Sequence, residues 1–157
     1  MRDVYKFSAQ PVTILLVDDD EDCRQLIRDA IEQAKLDNPV YEVSSGEEAL
    51  AFLHRQGAYA DAPRPGLVYL DIEMPGMDGQ ETLKAIRRDP RLSDIAVVMM
   101  TGVTDDAQKI LAMANGANSY TNKPTDAMTF MQTVVHSTNY WLRIHQFPRV
   151  AAQSGVA

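Results

Sequence analysis

Cysteine is almost absent from this chain: the single Cys23 has no partner for an internal disulfide. It falls on the apolar side of a predicted helix, which makes a buried small hydrophobe the expectation and not a reactive thiol. Basic residues are in deficit, 15 Lys and Arg against 22 Asp and Glu, and the net charge of −7 argues against a nucleic-acid partner. Long apolar runs are missing too. Segments such as IAVVMM (95–100) stop far short of the ~20 residues that span a bilayer. The opening MRDVYKFSAQ lacks the apolar stretch of a signal peptide. These absences lead us to expect a cytoplasmic protein with no membrane partner. At 157 residues, 45% apolar and 24% charged, the chain has the length and composition of one globular domain.

What is present is an alternation of two kinds of segment. VTILLV (12–17), VYEVS (40–44), GLVYL (66–70), IAVVMM (95–100) and NSYT (118–121) read as strands. Unbroken β-branched runs of this kind suit parallel strands covered on both faces. Between them lie helical patterns. Cys23, Leu26, Ile27, Ala30, Ile31 and Ala34 make a stripe of 3.6-residue period. Ser45 and Glu48 form a capping-box pattern ahead of Ala49, Leu50 and Leu53. A third helix carries Leu83 and Ile86, a fourth runs from Asp105 to Asn115 before Gly116, and the last starts near Thr125 and passes Trp141. Five β-α repeats predict an α/β, flavodoxin-like (βα)5 fold: a doubly wound parallel sheet of strand order 2-1-3-4-5. Its ligand crevice lies at the carboxyl ends of strands 1 and 3. Residues 11–147 are expected to form the domain, with tails at 1–10 and 148–157.

The strand ends carry the chemistry. Strand 1 ends in Asp18 and Asp19, strand 3 in Asp71, strand 4 in Thr101-Gly102, and Lys123-Pro124 closely follows strand 5. Strand 2, at the sheet edge, ends in Ser44-Ser45 and offers no charge. Parallel strands share one carboxyl edge, so these groups converge there. Three close carboxylates raise one another's pKa values, and a hard cation such as Mg²⁺, which takes oxygen ligands, relieves the repulsion. A lysine facing the same crevice offsets more charge and binds a phosphoryl oxygen as a point charge. A threonine hydroxyl donates one hydrogen bond, and an aspartate can act as the nucleophile. The residues therefore read as a Mg²⁺-assisted phosphoryl acceptor. Asp20, Glu21 and Asp22 suit the start of the first helix, where acids meet the positive end of its dipole. In MPGMDG (74–79), Pro75 presets φ, while Gly76 and Gly79 permit sharp or left-handed geometry. Gly102, with no side chain, leaves the crevice open.

LLVDDDED, LDIEMPGMDG, VVMMTG and NKP together resemble the signature segments of two-component response-regulator receiver domains, over roughly residues 11–143. The resemblance implies that Asp71 is the phosphoacceptor and that Asp18, Asp19, Asp71 and the Glu73 backbone carbonyl serve the metal, Mg²⁺ with Mn²⁺ as an alternative. It further implies that Thr101 is the switch hydroxyl, Lys123 the phosphate-binding lysine and Tyr120 the aromatic that swings inward on activation. By the same resemblance Pro124 is a cis-proline. The donor would be a sensor histidine kinase.

Only a short segment follows Arg143, with no helix-turn-helix pattern, so we expect a stand-alone regulator acting through protein contacts. In the last helix, Met128, Met131, Val135 and Leu142 form a stripe expected to face the sheet. Phe130, Val134 and Trp141 form an adjoining stripe, expected as a dimer or partner face. STNYWLRIHQFP and RPGLVYLDIEMP resemble receivers paired with phytochromes. That resemblance implies a bacteriophytochrome kinase and a homodimer through the face of the fourth helix, fifth strand and fifth helix. Three alternatives remain: a degenerate, phosphorylation-independent binding module, a phosphate sink without its own output, and a phosphatase using an aspartyl-phosphate. Haloacid-dehalogenase-type phosphatases need a second aspartate two residues after the nucleophile; Glu73 stands there.

Overall fold

The structure, a computed structural model, describes residues 11–102, 106–123 and 126–144. The expected cis peptide at Pro124 and both tails lie outside them. Five strands, β1 (Ile14–Val17), β2 (Val40–Val43), β3 (Leu67–Asp71), β4 (Ala96–Thr101) and β5 (Ser119–Asn122), alternate with five helices. The helices are α1 (Glu21–Gln33), α2 (Gly46–Leu53), α3 (Gly79–Arg88), α4 (Asp106–Ala114) and α5 (Ala127–Asn139), the last running into a wider π-type turn, Tyr140–Ile144. All strand pairs are parallel, and their order is β2-β1-β3-β4-β5 as expected. Among the described residues no helix is long and apolar enough to cross a membrane.

Alternation along each strand divides the core between the two faces of the sheet. Leu15, Val17, Val68, Leu70, Val97 and Met99 point to one side, against Ala49, Phe52, Leu83, Ile86 and Ala112 from α2, α3 and α4. Ile14, Leu16, Leu67, Tyr69, Val98 and Met100 point to the other, against Ile27, Ala30 and Ile31 of α1 and Phe130 and Val134 of α5. Every residue of β1, β3 and β4 is buried, which explains why their sequences show no polar alternation. The register sets the functional edge. Val17 lies opposite Leu70 and Asp71 opposite Met100, so Asp18, Asp71 and Thr101 leave the sheet at nearly one level.

Local chemistry starts and stops the helices as the sequence suggests. Asp20 caps α1 by accepting from the Asp22 amide at 2.9 Å, which makes it a cap and not a further member of the acidic site. Ser45 accepts from the Glu48 amide at 3.0 Å, but Glu48 returns to Ser44, whose hydroxyl donates to Oε1 at 2.6 Å. Asp78 and Asp126 cap α3 and α5. Cys23 is only partly buried beside the α1–α5 core; burial pushes its thiol up to about 11, and the group stays protonated.

The orientation of α5 differs from expectation. Phe130, Val134 and Trp141, expected as a partner face, are 2%, 0% and 7% exposed and belong to the core. The other stripe flanks them: Met131, Val135 and Leu142 are half-buried and pack against the same core, and only Met128, at 69%, is exposed. The bulkier stripe removes more apolar surface from water when it turns inward. The Tyr69 hydroxyl, 2.9 Å from the Ser137 hydroxyl, fixes the helix at that rotation.

Arg87 stands out among the fold's fastenings. Its Nε donates to Gly116 O at 2.7 Å, Nη1 to Ile95 O at 2.8 Å and Ser93 O at 3.1 Å, and Nη2 to Asn118 Oδ1 at 2.8 Å. One side chain thus joins α3, the approach to β4 and the turn into β5. Arg87→Ala would strand these acceptors, and a lowering of stability by about 2–4 kcal/mol is expected in urea melts. Arg87→Lys keeps the charge but not the fork, and should recover less than half of that loss.

Candidate metal and phosphoryl centre

The acids and the lysine meet in one crevice. One carboxylate oxygen from each of Asp18, Asp19 and Asp71 lies within 4.8 Å of the other two. Asp18 and Asp71 are buried, at 2% and 6% exposure, whereas Asp19 is exposed to solvent. β1 delivers the first two directly, and the Asp20 amide orients Asp18 by donating to its Oδ1 at 2.9 Å. Lys123 enters from beyond β5, its backbone anchored by donation to Thr101 O at 2.7 Å. Its Nζ donates to Asp18 Oδ2 at 2.7 Å and lies 3.2 Å from Asp71 Oδ1. Thr101 is buried at the end of β4, and Gly102 is open: beyond its chain neighbours, no atom of the described residues lies within 4 Å of where a Cβ would stand.

The β3–α3 turn owes its shape to both of its glycines, for different reasons. Gly76 has φ +74°, the left-handed geometry expected of it. Gly79 has no positive φ; what it supplies is room, since a Cβ there would stand 2.2 Å from Asp71 O and 2.7 Å from Ile72 Cα. Glu47 of α2 steadies the turn by accepting from the Met77 amide at 3.2 Å.

Electrostatically the crevice is unbalanced, with three carboxylates facing one ammonium. Burial raises the Asp71 pKa and the Asp18 charge adds to it, while Lys123 and the Glu73 amide pull it down; the result is about 6 against an ordinary 3.8. Burial opposes the charge on Lys123, but its hydrogen bond to Asp18 and the charges of Asp71 and Asp18 overcome this and hold it above the usual lysine range. In metal-free protein between about pH 4 and 6 the folded state therefore keeps a proton on Asp71 that the unfolded chain has already released. Stability on this account is greatest below pH 4 and falls as pH rises through about 6. Asp71→Asn removes the penalty. Without divalent cations it should exceed wild type in stability at pH 7 by roughly 1–3 kcal/mol, with the gap closing toward pH 4.

The donor set fits a hard divalent cation. It is all oxygen and carries excess negative charge, and the exposed Asp19 and bare Gly102 leave one side open for water or an incoming oxygen. Tyr120 is not drawn into the crevice. It is 38% exposed, with Lys109 Nζ 5.1 Å from its ring centroid, and borders a groove with Asp106, Ile110 and Met113. Glu73 is exposed, and its amide rather than its carbonyl is the group that reaches the Asp71 carboxylate. A further contributor escaped the reading of strand ends. Glu42, inside β2, accepts from Arg24 Nε at 2.9 Å, and Arg24 also donates to the backbone carbonyl of Asp18.

A parallel 2-1-3-4-5 sheet with two buried aspartates and a lysine clustered at its carboxyl edge defines a class, and comparison with known proteins agrees. Residues 14–135 match the response regulator receiver domain, and the chain belongs to that family. Phosphorylation on aspartate is the family's general mechanism, with histidine kinases as donors. Response regulator Rcp1 of Synechocystis sp. is 30% identical over 141 residues, covering 90% of this chain and 96% of its own length. The probable methanogenesis regulatory protein FilR2 of Methanothrix harundinacea is 34% identical over 142 residues, covering 90% of each. Among solved structures, the phosphorylated cyanobacterial phytochrome response regulator RcpA aligns with a TM-score of 0.85 at 31% identity, over 89% of this chain and 100% of its own. The Mn(2+)-bound form of Rcp1 gives 0.84 at 30% identity, over 88% and 100%.

Proposed function

We propose that Asp71 accepts a phosphoryl group from a sensor histidine kinase, and that the protein serves a phytochrome-linked two-component relay as a stand-alone regulator. The observation that carries this reading is Lys123 Nζ within reach of both Asp18 and Asp71, beside a third carboxylate that can converge with them. An Asp71 carboxylate oxygen attacks phosphorus, the O–P bond forms, and the N–P bond of the donor phosphohistidine breaks. Lys123 binds one phosphoryl oxygen, and the Thr101 hydroxyl donates to another. Gly102 leaves room for the group. Asp18, Asp19, Asp71 and the Glu73 carbonyl would hold Mg²⁺, or Mn²⁺ in its place, which when bound offsets negative charge on the phosphoryl oxygens. The likeness to RcpA, a cyanobacterial phytochrome response regulator, supports the phytochrome link.

Output is proposed through a homodimer on the α4–β5–α5 face. Ile110, Leu111, Met113, Tyr120 and Met128 are its exposed apolar side chains, and a groove of ≈ 360 Å³ runs between Asp106, Lys109, Ile110, Met113 and Tyr120. With Phe130, Val134 and Trp141 in the core, Met128 and its neighbours are what α5 can offer. Tyr120 borders this groove and would leave it on turning inward, which gives phosphorylation a route to the contact surface. The complete set of site residues speaks against a degenerate module. Acetyl phosphate with Mg²⁺ should add one phosphoryl group to the wild-type mass, and none to Asp71→Asn or in EDTA. An equal adduct on Asp71→Asn overturns the reading. An adduct with no change in sedimentation overturns only the dimer switch and leaves the phosphate-sink reading.

A further inference from the structure

The acidic pair needs to be held as well as neutralised, and the structure shows what holds it. Asp18 is the first residue past β1, and its carbonyl is met by Arg24 Nη1 from the first turns of α1. That bond closes a loop, residues 18–24, around the whole acidic run. The Arg24 side chain is only 15% exposed, and its guanidinium is gripped on its other edge by Glu42 Oε1 at 2.9 Å. Glu42 in turn pairs through Oε2 with Arg28, one helical turn after Arg24. Glu42 sits opposite Leu16 in the β1–β2 register, so the clamp is bolted to the sheet and not to a loop.

We propose that Arg24, fixed by Glu42, is a positioning residue for the divalent-cation site: it sets the backbone at Asp18 and thereby the directions of the Asp18 and Asp19 carboxylates. The inference rests on the metal reading given above. It makes β2, which supplies nothing at its carboxyl end, the anchor of the acidic loop. Only a planar fork can serve both acceptors at once. An ammonium would reach one and release the other.

Charge and position predict opposite signs, which makes the idea testable. Arg24 is a cation near the site, so its charge alone repels a divalent ion, and removing that charge alone would tighten binding. A residue that orients ligands works the other way, and losing such a partner typically weakens metal affinity by about 10–100-fold. The measurement is Mn²⁺ affinity, from electron paramagnetic resonance of the free ion, at a temperature where circular dichroism reports folded protein. Arg24→Ala is expected to weaken Mn²⁺ binding roughly tenfold. Arg24→Lys, which keeps both charge and fold, is expected to lose several-fold. In a cycle with Glu42→Ala the two losses should be far from additive. Tighter or unchanged binding in Arg24→Ala, or wild-type affinity in Arg24→Lys, overturns the proposal; where Arg24→Ala fails to fold, Arg24→Lys decides alone. A wild-type chain that binds no Mn²⁺ overturns the metal reading itself, an outcome separate from a silent Arg24.

Discussion

Lys123→Met should produce opposite effects with and without divalent cation. In metal-free buffer at neutral pH, the substitution leaves Asp18 and Asp71, both buried, facing each other with no ammonium between them. Removing one member of a buried ionic group typically costs about 3–5 kcal/mol. Here Asp71 can take up a proton in response, so a loss of roughly 2–4 kcal/mol is expected. Methionine keeps much of the apolar stem, so packing contributes little to this figure. Adding Mg²⁺ should recover most of the loss, because the variant's site now holds uncompensated carboxylates and no competing cation. Metal affinity is expected to rise relative to wild type. Phosphoryl acceptance is nevertheless expected to slow by about 10²–10³, the usual cost of deleting a fixed group aimed at transition-state charge. Urea melts with EDTA and with Mg²⁺, beside initial rates with acetyl phosphate, separate the three effects. A variant that binds Mg²⁺ better and yet reacts as fast as wild type would remove Lys123 from the chemistry.

Gly79→Ala should be nearly as damaging, for a steric reason alone. The added methyl would meet Asp71 O at 2.2 Å and Ile72 Cα at 2.7 Å, both backbone, so no flexible side chain can yield. Gly79 N also donates to Ile72 O at 2.9 Å, so moving the helix away breaks a bond that ties α3 to the end of β3. A destabilisation of about 3 kcal/mol is expected. Whatever strain remains is imposed on Asp71 itself, and acceptance should fall along with stability. Gly102→Ala is the control. It lies beside Thr101 at the same edge, but among the described residues an added Cβ meets nothing within 4 Å beyond its chain neighbours, and stability should stay within about 0.5 kcal/mol of wild type.

Much of this was legible in the residues. Unbroken apolar runs at β1, β3 and β4 can only be strands covered on both faces, and once five β-α units are counted few topologies remain. The site was legible for the same reason, since parallel strands bring Asp18, Asp71, Thr101 and Lys123 to one edge however far apart they lie in sequence. The α5 surface was not. Its two apolar stripes adjoin, periodicity cannot say which one turns inward, and the choice fell to Phe130 and Trp141 because their burial removes the most apolar surface. Gly79 looked like a turn residue and proved to be a spacing residue, a distinction that depends on where Asp71 O lies. Glu42 was missed because it stands inside β2, and its link to Asp18 runs through an arginine on another element.

The central claim is that one particular carboxylate becomes phosphorylated. Reductive trapping tests it most directly: after Mg²⁺ and acetyl phosphate, borohydride converts an aspartyl phosphate to homoserine, and peptide sequencing locates it. The account predicts homoserine at position 71 and at neither 18 nor 19, with none formed in EDTA. Homoserine at Asp18 or Asp19 with Asp71 intact, or a phosphoryl group that stays on a hydroxyl through the reduction, would contradict it.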